Sequence, residues 1–162
     1  FTQEVKIQIE QLIKQPNTFL GEVGIEMREQ YLEQNPLNLQ LEVLNQQLEI
    51  AFRLNKTISM HLVFRNGGCL SQVIKLLLKL QTQFETKPII ILHSCSLSVE
   101  QFKQLNICYK NLFIGVSYLN FESKLVKKMI EKLVRETDYV SGDDYDQKWG
   151  KVVGIDCTNN EA

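Results

Sequence analysis

The chain has 162 residues, 44% of them hydrophobic, which is enough for one domain with a real core. Its 18 Lys and Arg against 19 Asp and Glu leave a net charge of −1, which excludes a protein held to phosphate backbones by bulk charge while leaving room for a local basic patch. No apolar run approaches the ~18–20 residues of a bilayer span, so no membrane span is expected, and no basic-then-apolar leader opens the chain.

The chain opens on Phe1 within a helical pattern, so a preceding segment is expected. Thr2 to Gln15 carry Val5, Ile9, Leu12 and Ile13 at helical spacing, and Pro16-Asn17 ends that helix. Thr18 to Ile25 form a short apolar strand. It contains Glu22, a carboxylate that a buried strand does not hold without a partner, flanked by Gly21 and Gly24, which let other groups approach closely. Met27 to Pro36 read as a polar loop. A long amphipathic helix follows from Asn38 to about Asn55, through Leu41, Leu44, Leu48, Ala51, Phe52 and Leu54.

Thr57 to Phe64 are β-branched and apolar, interrupted by His61, and Asn66-Gly67-Gly68 reads as a turn. Ser71 to Phe84 form another helix. Pro88 to His93 read as a strand buried on both faces, with the histidine where the strand opens into a loop. Ser98-Val-Glu-Gln101 is a capping-box pattern that starts a helix running to about Ile107. Leu112 to Ser117 form a further strand, Glu122 to about Glu131 a helix, and Lys132 to Asp138 another strand. Ser141 to Asp144 read as a loop, and Lys151 to Ile155 as one more short strand.

Strand and helix alternate with short connections, the pattern of parallel βα units with right-handed crossovers. The fold class predicted is α/β, a parallel sheet of βα repeats in one domain over residues 1–162. The cysteines, Cys69, Cys95, Cys108 and Cys157, form no Cys-x-x-Cys pair and are too sparse for a disulfide scaffold. They read as reduced thiols of an intracellular, cytoplasmic protein, with Cys95 notable for lying two residues after His93.

Four ionisable side chains occupy equivalent places in successive units: Glu22, His61, His93 and Asp138. Each lies in, or at the C-terminal end of, an apolar strand, and in a parallel sheet those ends point the same way. A lone strand-end histidine is more often a hydrogen-bonded structural residue than a ligand. Here both histidines of the chain fall at the same place in their units. Two imidazoles and two carboxylates at one rim form a binding site for one or two divalent metal ions, whose use is to turn bound water into hydroxide near neutral pH. Rival chemistries lack their motifs: the sequence has no Gly-x-Ser-x-Gly elbow, no Gly-x-x-x-x-Gly-Lys loop and no Gly-x-Gly-x-x-Gly.

Gly21-Glu22-Val23-Gly24-Ile25-Glu26 resembles the Gly-Glu-hydrophobic-Gly-Leu-Asp motif of the TatD-family metal-dependent hydrolases, a branch of the amidohydrolase superfamily. Ile58-Ser-Met-His61 resembles the family's Ile-His strand and Leu92-His93-Ser94 its next histidine motif. Phe113 to Ser117 followed by Arg135-Glu-Thr-Asp138 is similar to its closing Glu-Thr-Asp signature. The resemblance covers residues 18 to about 140, with residues 140–162 matching poorly. It implies a partial (β/α)8 TIM barrel in which Glu22 bridges, His61 and His93 hold one metal, and Asp138 binds a second and orients or deprotonates the attacking water. It further implies magnesium, manganese or zinc as cofactor and nucleic acid as substrate, through phosphodiester hydrolysis of DNA.

The sequence also departs from that family. The His-x-His pair of its first strand belongs before residue 1, so it either lies outside this sequence or is lost. Leu62-Val-Phe-Arg65 stands where Ser-Arg-Asp-Ala is usual, Glu26 stands where the first motif has Asp, and no Pro follows Asp138 closely. These changes motivate a second reading, a catalytically degenerate barrel that serves as a scaffold subunit. A barrel of this type closes with eight strands, more than this chain supplies. An open sheet is therefore expected, with the Glu22 strand at one edge, covered by further residues of the same protein or by a partner chain.

Overall fold

The computed structural model describes residues 1–64, 68–93 and 97–116 and the backbone of 152–154. Helix α1 (Gln3–Ile13) starts at Thr2, whose side chain accepts from the Val5 N–H at 3.3 Å. It stops where the Thr18 hydroxyl lies 2.8 and 2.7 Å from the Ile13 and Gln15 carbonyls, and Asn17, at a φ of 56°, turns the chain into strand β1 (Leu20–Glu26). The stretch predicted as a polar loop holds one helical turn, α2 (Glu29–Leu32). No glycine or proline interrupts residues 27–35, and the Arg28 guanidinium lies 5.1 Å from the centre of the Tyr31 ring.

Helix α3 (Leu37–Leu54) buries Leu44, Leu48, Ala51 and Phe52, a spacing that keeps one face toward the sheet. It ends in a Schellman arrangement. Asn55 takes the left-handed conformation at a φ of 50°, its N–H bonds the Phe52 carbonyl at 3.2 Å, and the Lys56 N–H bonds that of Ala51 at 2.9 Å. Strand β2 (Ile58–Val63), helix α4 (Leu70–Gln83), strand β3 (Ile90–Leu92), helix α5 (Val99–Cys108) and strand β4 (Leu112–Val116) follow, and β5 is Val152–Gly154. The capping box at α5 is complete. Gln101 N–H donates to the Ser98 hydroxyl at 3.2 Å, and the Gln101 side chain accepts from the Ser98 N–H at 2.8 Å. The helix predicted at 122–131, the strand at 132–138, the loop at 141–144 and most of the turn at 66–68 lie outside the described residues.

All pairings are parallel and the strand order is β1-β2-β3-β4-β5, each strand beside its predecessor in the chain. The helices neighbour one another in the same sequence, α3 on α4 and α4 on α5. The fold is therefore that of a partial (β/α)8 barrel, with β1 at one edge of the sheet among the described residues. No helix among them is long and apolar enough to cross a membrane. Alternation along the strands sends Ile58, Met60, Leu62, Ile90, Leu92, Leu112 and Ile114 into the core with the helices. The strand read as buried on both faces is buried on one. Ile90 and Leu92 are inside, but Ile91 is half-buried and Ile89 is exposed, because the described strands do not enclose the second face of the sheet.

The end of the sheet where the strands begin is sealed by aromatic rings. Phe52 lies at the end of α3, with Phe84 and Tyr109 just after α4 and α5. The Phe52 ring centre is 6.2 Å from that of Phe84 and 5.9 Å from that of Tyr109. Tyr109 is buried and its hydroxyl donates to the Pro88 carbonyl at 2.5 Å, tying the approach to β4 to the approach to β3. Along their length, β1 and β2 approach closely at two glycines. A Cβ on Gly24 would stand 1.7 Å from the His61 carbonyl oxygen, and one on Gly21 would stand 2.6 Å from the Ser59 Cβ. At the edge of β1 that no described strand pairs, the Gln40 amide takes the place of a neighbouring strand. Its oxygen accepts from the Glu26 N–H at 2.8 Å and its nitrogen donates to the Glu26 carbonyl at 3.0 Å.

Two outcomes follow from this packing. Gly24→Ala must separate β1 from β2, so the urea midpoint should fall by an amount corresponding to roughly 1–3 kcal/mol or more; an unchanged midpoint would contradict the close contact. Cys69 is wholly buried and burial pushes its thiol up to about 11. A maleimide at about pH 8 should leave Cys69 unlabelled until the protein is unfolded, while the partly exposed Cys108 reacts, as peptide mass mapping would show.

Candidate metal centre

Strand alternation decides which way His61 points. Its neighbours Met60 and Leu62 face the helices, so His61 projects from the opposite, open face. His93 is the first residue past β3. Its N–H donates to the Met60 carbonyl at 2.8 Å, and because Met60 is paired with Leu92, His93 falls beside His61. On β1 the core positions are Val23 and Ile25, which leaves Glu22 and Glu26 for the open face.

These placements converge. Glu22 Oε1 lies 2.8 Å from His61 Nδ1 and 3.2 Å from His93 Nδ1, so one carboxylate oxygen stands between two imidazoles. One ligating atom from each of Glu22, His61 and His93 lies within 4.8 Å of the other two. The imidazoles are mostly buried, with side-chain exposures of 27% and 24%, whereas Glu22 is 46% exposed. Asp138, the fourth residue singled out in the sequence, lies outside the described residues, as does Cys95.

The donor set fits a divalent cation. His61 Nδ1 is buried and has no hydrogen bond, for the short approach of Glu22 is not directed along a donor–acceptor axis. A buried ring nitrogen without a partner is costly. Two imidazole nitrogens and a carboxylate oxygen facing one another are the ligand types that zinc and manganese take.

The sequence reading passed over Glu26 except as a motif substitution. The structure places its Oε2 3.3 Å from His61 Nε2, on the far side of the ring from Glu22. The signal was present in the period of two that separates Glu22, Gly24 and Glu26 along the strand. Arg28 grips Glu26 twice, through its guanidinium at 2.5 Å and its backbone N–H at 2.9 Å. The guanidinium is the main reason that the Glu26 carboxyl is held down to about 2; burial opposes the shift, and the Arg28 N–H and His61 assist it. Past the ends of β1 and β2, at the same end of the sheet, Met27, Arg28, Glu29, Val63 and Phe64 line a cleft of about 280 Å³.

A sequence model of the family described as TatD related DNase matches residues 1–151. Among solved structures, the chain is similar to an uncharacterized amidohydrolase from Saccharomyces cerevisiae, at 14% identity and a TM-score of 0.65, with 94% of this chain and 44% of that one covered. It is also similar to YJJV, a TatD homologue from Escherichia coli K12, at 19% identity and a TM-score of 0.60, with 82% of this chain and 48% of that one covered. At these identities the likeness is one of fold, and the chain spans less than half the length of either structure. No curated protein matches the sequence at a significant level.

The depressed Glu26 carboxyl predicts an acid response. A group whose pKa drops on folding from 4.5 to about 2 contributes its full stabilisation above pH 4.5 and loses it as the pH falls toward about 2. Thermal melts across that window should show Tm falling less steeply in Glu26→Gln than in the unaltered protein. Parallel curves would show that the ion pair adds nothing to the fold.

Proposed function

The chain belongs to the TatD related DNase family, and from that premise we propose that it is a metal-dependent hydrolase that cleaves phosphodiester bonds in nucleic acid with a metal-activated water. The observation that carries this reading is the convergence of Glu22, His61 and His93 within 4.8 Å on the open face of the sheet. In it, His61, through Nδ1, and His93 hold a divalent ion, magnesium, manganese or zinc. Glu22 supplies the negative charge between them and, with a second oxygen to offer, is suited to bridging two ions. When bound, such an ion supplies a hydroxide near neutral pH and polarises the phosphoryl oxygen.

The remaining roles belong to the protein. Asp138, on its resemblance to the family's closing signature, orients or deprotonates the attacking water. The rim cleft receives substrate. Arg28 offers a guanidinium suited to a phosphate and Phe64 a ring suited to stacking on a base, which permits local recognition in a chain of net charge −1. The free thiols Cys69 and Cys108 support placing the protein in a reducing, intracellular compartment.

The test is cleavage of single- and double-stranded DNA by the purified full chain with magnesium, manganese or zinc. Metal-stimulated cleavage is expected, falling by at least about 100-fold in Glu22→Gln and His93→Ala, beyond the usual effect of removing an outer partner of a metal ligand. Cleavage that is independent of metal, or unchanged in His93→Ala, would overturn the reading. A folded protein that binds no divalent ion would favour the alternative, a barrel retained as a scaffold.

A further inference from the structure

We propose that Glu26 is a positioning residue for His61: its carboxylate fixes the ring proton on Nε2 and thereby turns an unprotonated Nδ1 toward Glu22. The inference rests on the reading of Glu22, His61 and His93 as a metal centre and adds a residue to which that reading gives no task.

His61 is bracketed by two carboxylates, and they are not equivalent. Glu22 Oε1 lies 2.8 Å from Nδ1 but makes no directed hydrogen bond with it, whereas Glu26 Oε2, 3.3 Å from Nε2, does have hydrogen-bond geometry. A neutral imidazole has one N–H, which settles on the nitrogen that faces a well-directed acceptor. Placed on Nε2, it donates to Glu26 and leaves the Nδ1 lone pair free to ligate. Placed on Nδ1, it would occupy the lone-pair position and close it to a ligand. Metal-bound histidines commonly have a carboxylate on the other ring nitrogen for this reason.

Glu26 is itself held so that it can do this. Arg28 donates to both carboxylate oxygens, from its guanidinium at 2.5 Å and its backbone N–H at 2.9 Å. The Gln40 amide clamps the Glu26 backbone on both sides, at 2.8 and 3.0 Å, and its nitrogen also reaches the Asn35 carbonyl at 2.6 Å. A carboxylate fixed at both its head and its backbone is preorganised for one acceptor direction. His93 is arranged otherwise, with its hydrogen bond on the Glu22 side of the ring, Nδ1 to Oε1 at 3.2 Å. The two histidines of the centre therefore differ in what sets their tautomer.

The experiment reads the His61 tautomer directly in the metal-free full chain labelled with ¹⁵N, by long-range ¹H–¹⁵N correlation of the imidazole at about pH 8.5, above the ordinary imidazole range. With two histidines in the chain, a His93→Gln spectrum assigns the signals. The unaltered protein should show His61 protonated on Nε2. Glu26→Met, close in size and without an acceptor, should move the population toward Nδ1–H. Glu26→Gln, which keeps a neutral acceptor, should retain Nε2–H. Affinity for zinc or manganese, measured by calorimetry, should drop about 10–100-fold in the Met variant and recover in part in the Gln variant. A Nδ1–H ring in the unaltered protein, or nitrogen signals unmoved by Glu26→Met in a protein that still melts cooperatively, overturns the inference. If Glu26→Met does not fold, the tautomer of the unaltered protein together with the affinity of Glu26→Gln decides it. Absence of any zinc or manganese binding by the unaltered protein refutes the metal centre instead, and the tautomer measurement still judges Glu26 on its own.

Discussion

The close approach of β1 to β2 is the contact on which the rest of the molecule depends. Gly24 has no side chain, and the space a Cβ would take is filled by the backbone of His61. That approach fixes how far the carboxylates of β1 stand from the histidine of β2. Any larger residue at position 24 would move both Glu22 and Glu26 away from His61, since the two glutamates flank it along the strand by the same two-residue step. Glycine is usually an entropic cost within a strand. Here that cost accompanies a geometry in which one imidazole reaches a carboxylate from each of its two nitrogens.

The two ends of the sheet divide the work of stability and chemistry. Where the strands begin, Phe52, Phe84 and Tyr109 meet ring on ring, and Tyr109 satisfies its hydroxyl on the Pro88 carbonyl. Burial of side chains of this size contributes roughly 1.5–3 kcal/mol each, and the same end also carries the left-handed Asn55 cap and the tie of Asn111 to the Lys87 carbonyl at 2.6 Å. Where the strands end, the chain spends polar side chains that a core would not tolerate without partners. An imidazole lacking a hydrogen bond on one buried nitrogen survives there because the opposite end holds the strands in register.

Much of this was legible in the sequence because strand alternation and helix periodicity are local. The capping box at Ser98 and Gln101, the amphipathic run from Leu44 to Phe52, and the order of strand and helix from β1 to β4 follow from neighbours within a few residues, and the structure shows each of them. The placement of His61 within its strand and of His93 just past its own was also legible, since it needs only the position of each within its unit. Three features were not. The helical turn at Glu29–Leu32 is too short for periodicity to register. The exposure of Ile89 and the partial exposure of Ile91 depend on how many strands enclose the second face, a property of the whole sheet. The role of Glu26 depends on a ring nitrogen contributed from residue 61, a distance along the chain that no local pattern spans.

The edge of the sheet and the cluster of Glu22, His61 and His93 are one structural problem. A strand with no neighbour on one side exposes backbone N–H and C=O groups that must be paired. The chain meets that need at the last residue of β1 with a side chain: the Gln40 amide offers one acceptor and one donor, the same pair that a neighbouring strand would present. The residue so clamped is Glu26, whose side chain faces His61. Holding the edge strand in place at that residue also holds the carboxylate. Gln40 is in turn carried by α3, whose buried face of Leu44, Leu48, Ala51 and Phe52 ties it into the core. The rigidity available to His61 is therefore drawn from the hydrophobic packing of α3, passed through one amide to the backbone of β1 and from there through one carboxylate to the ring.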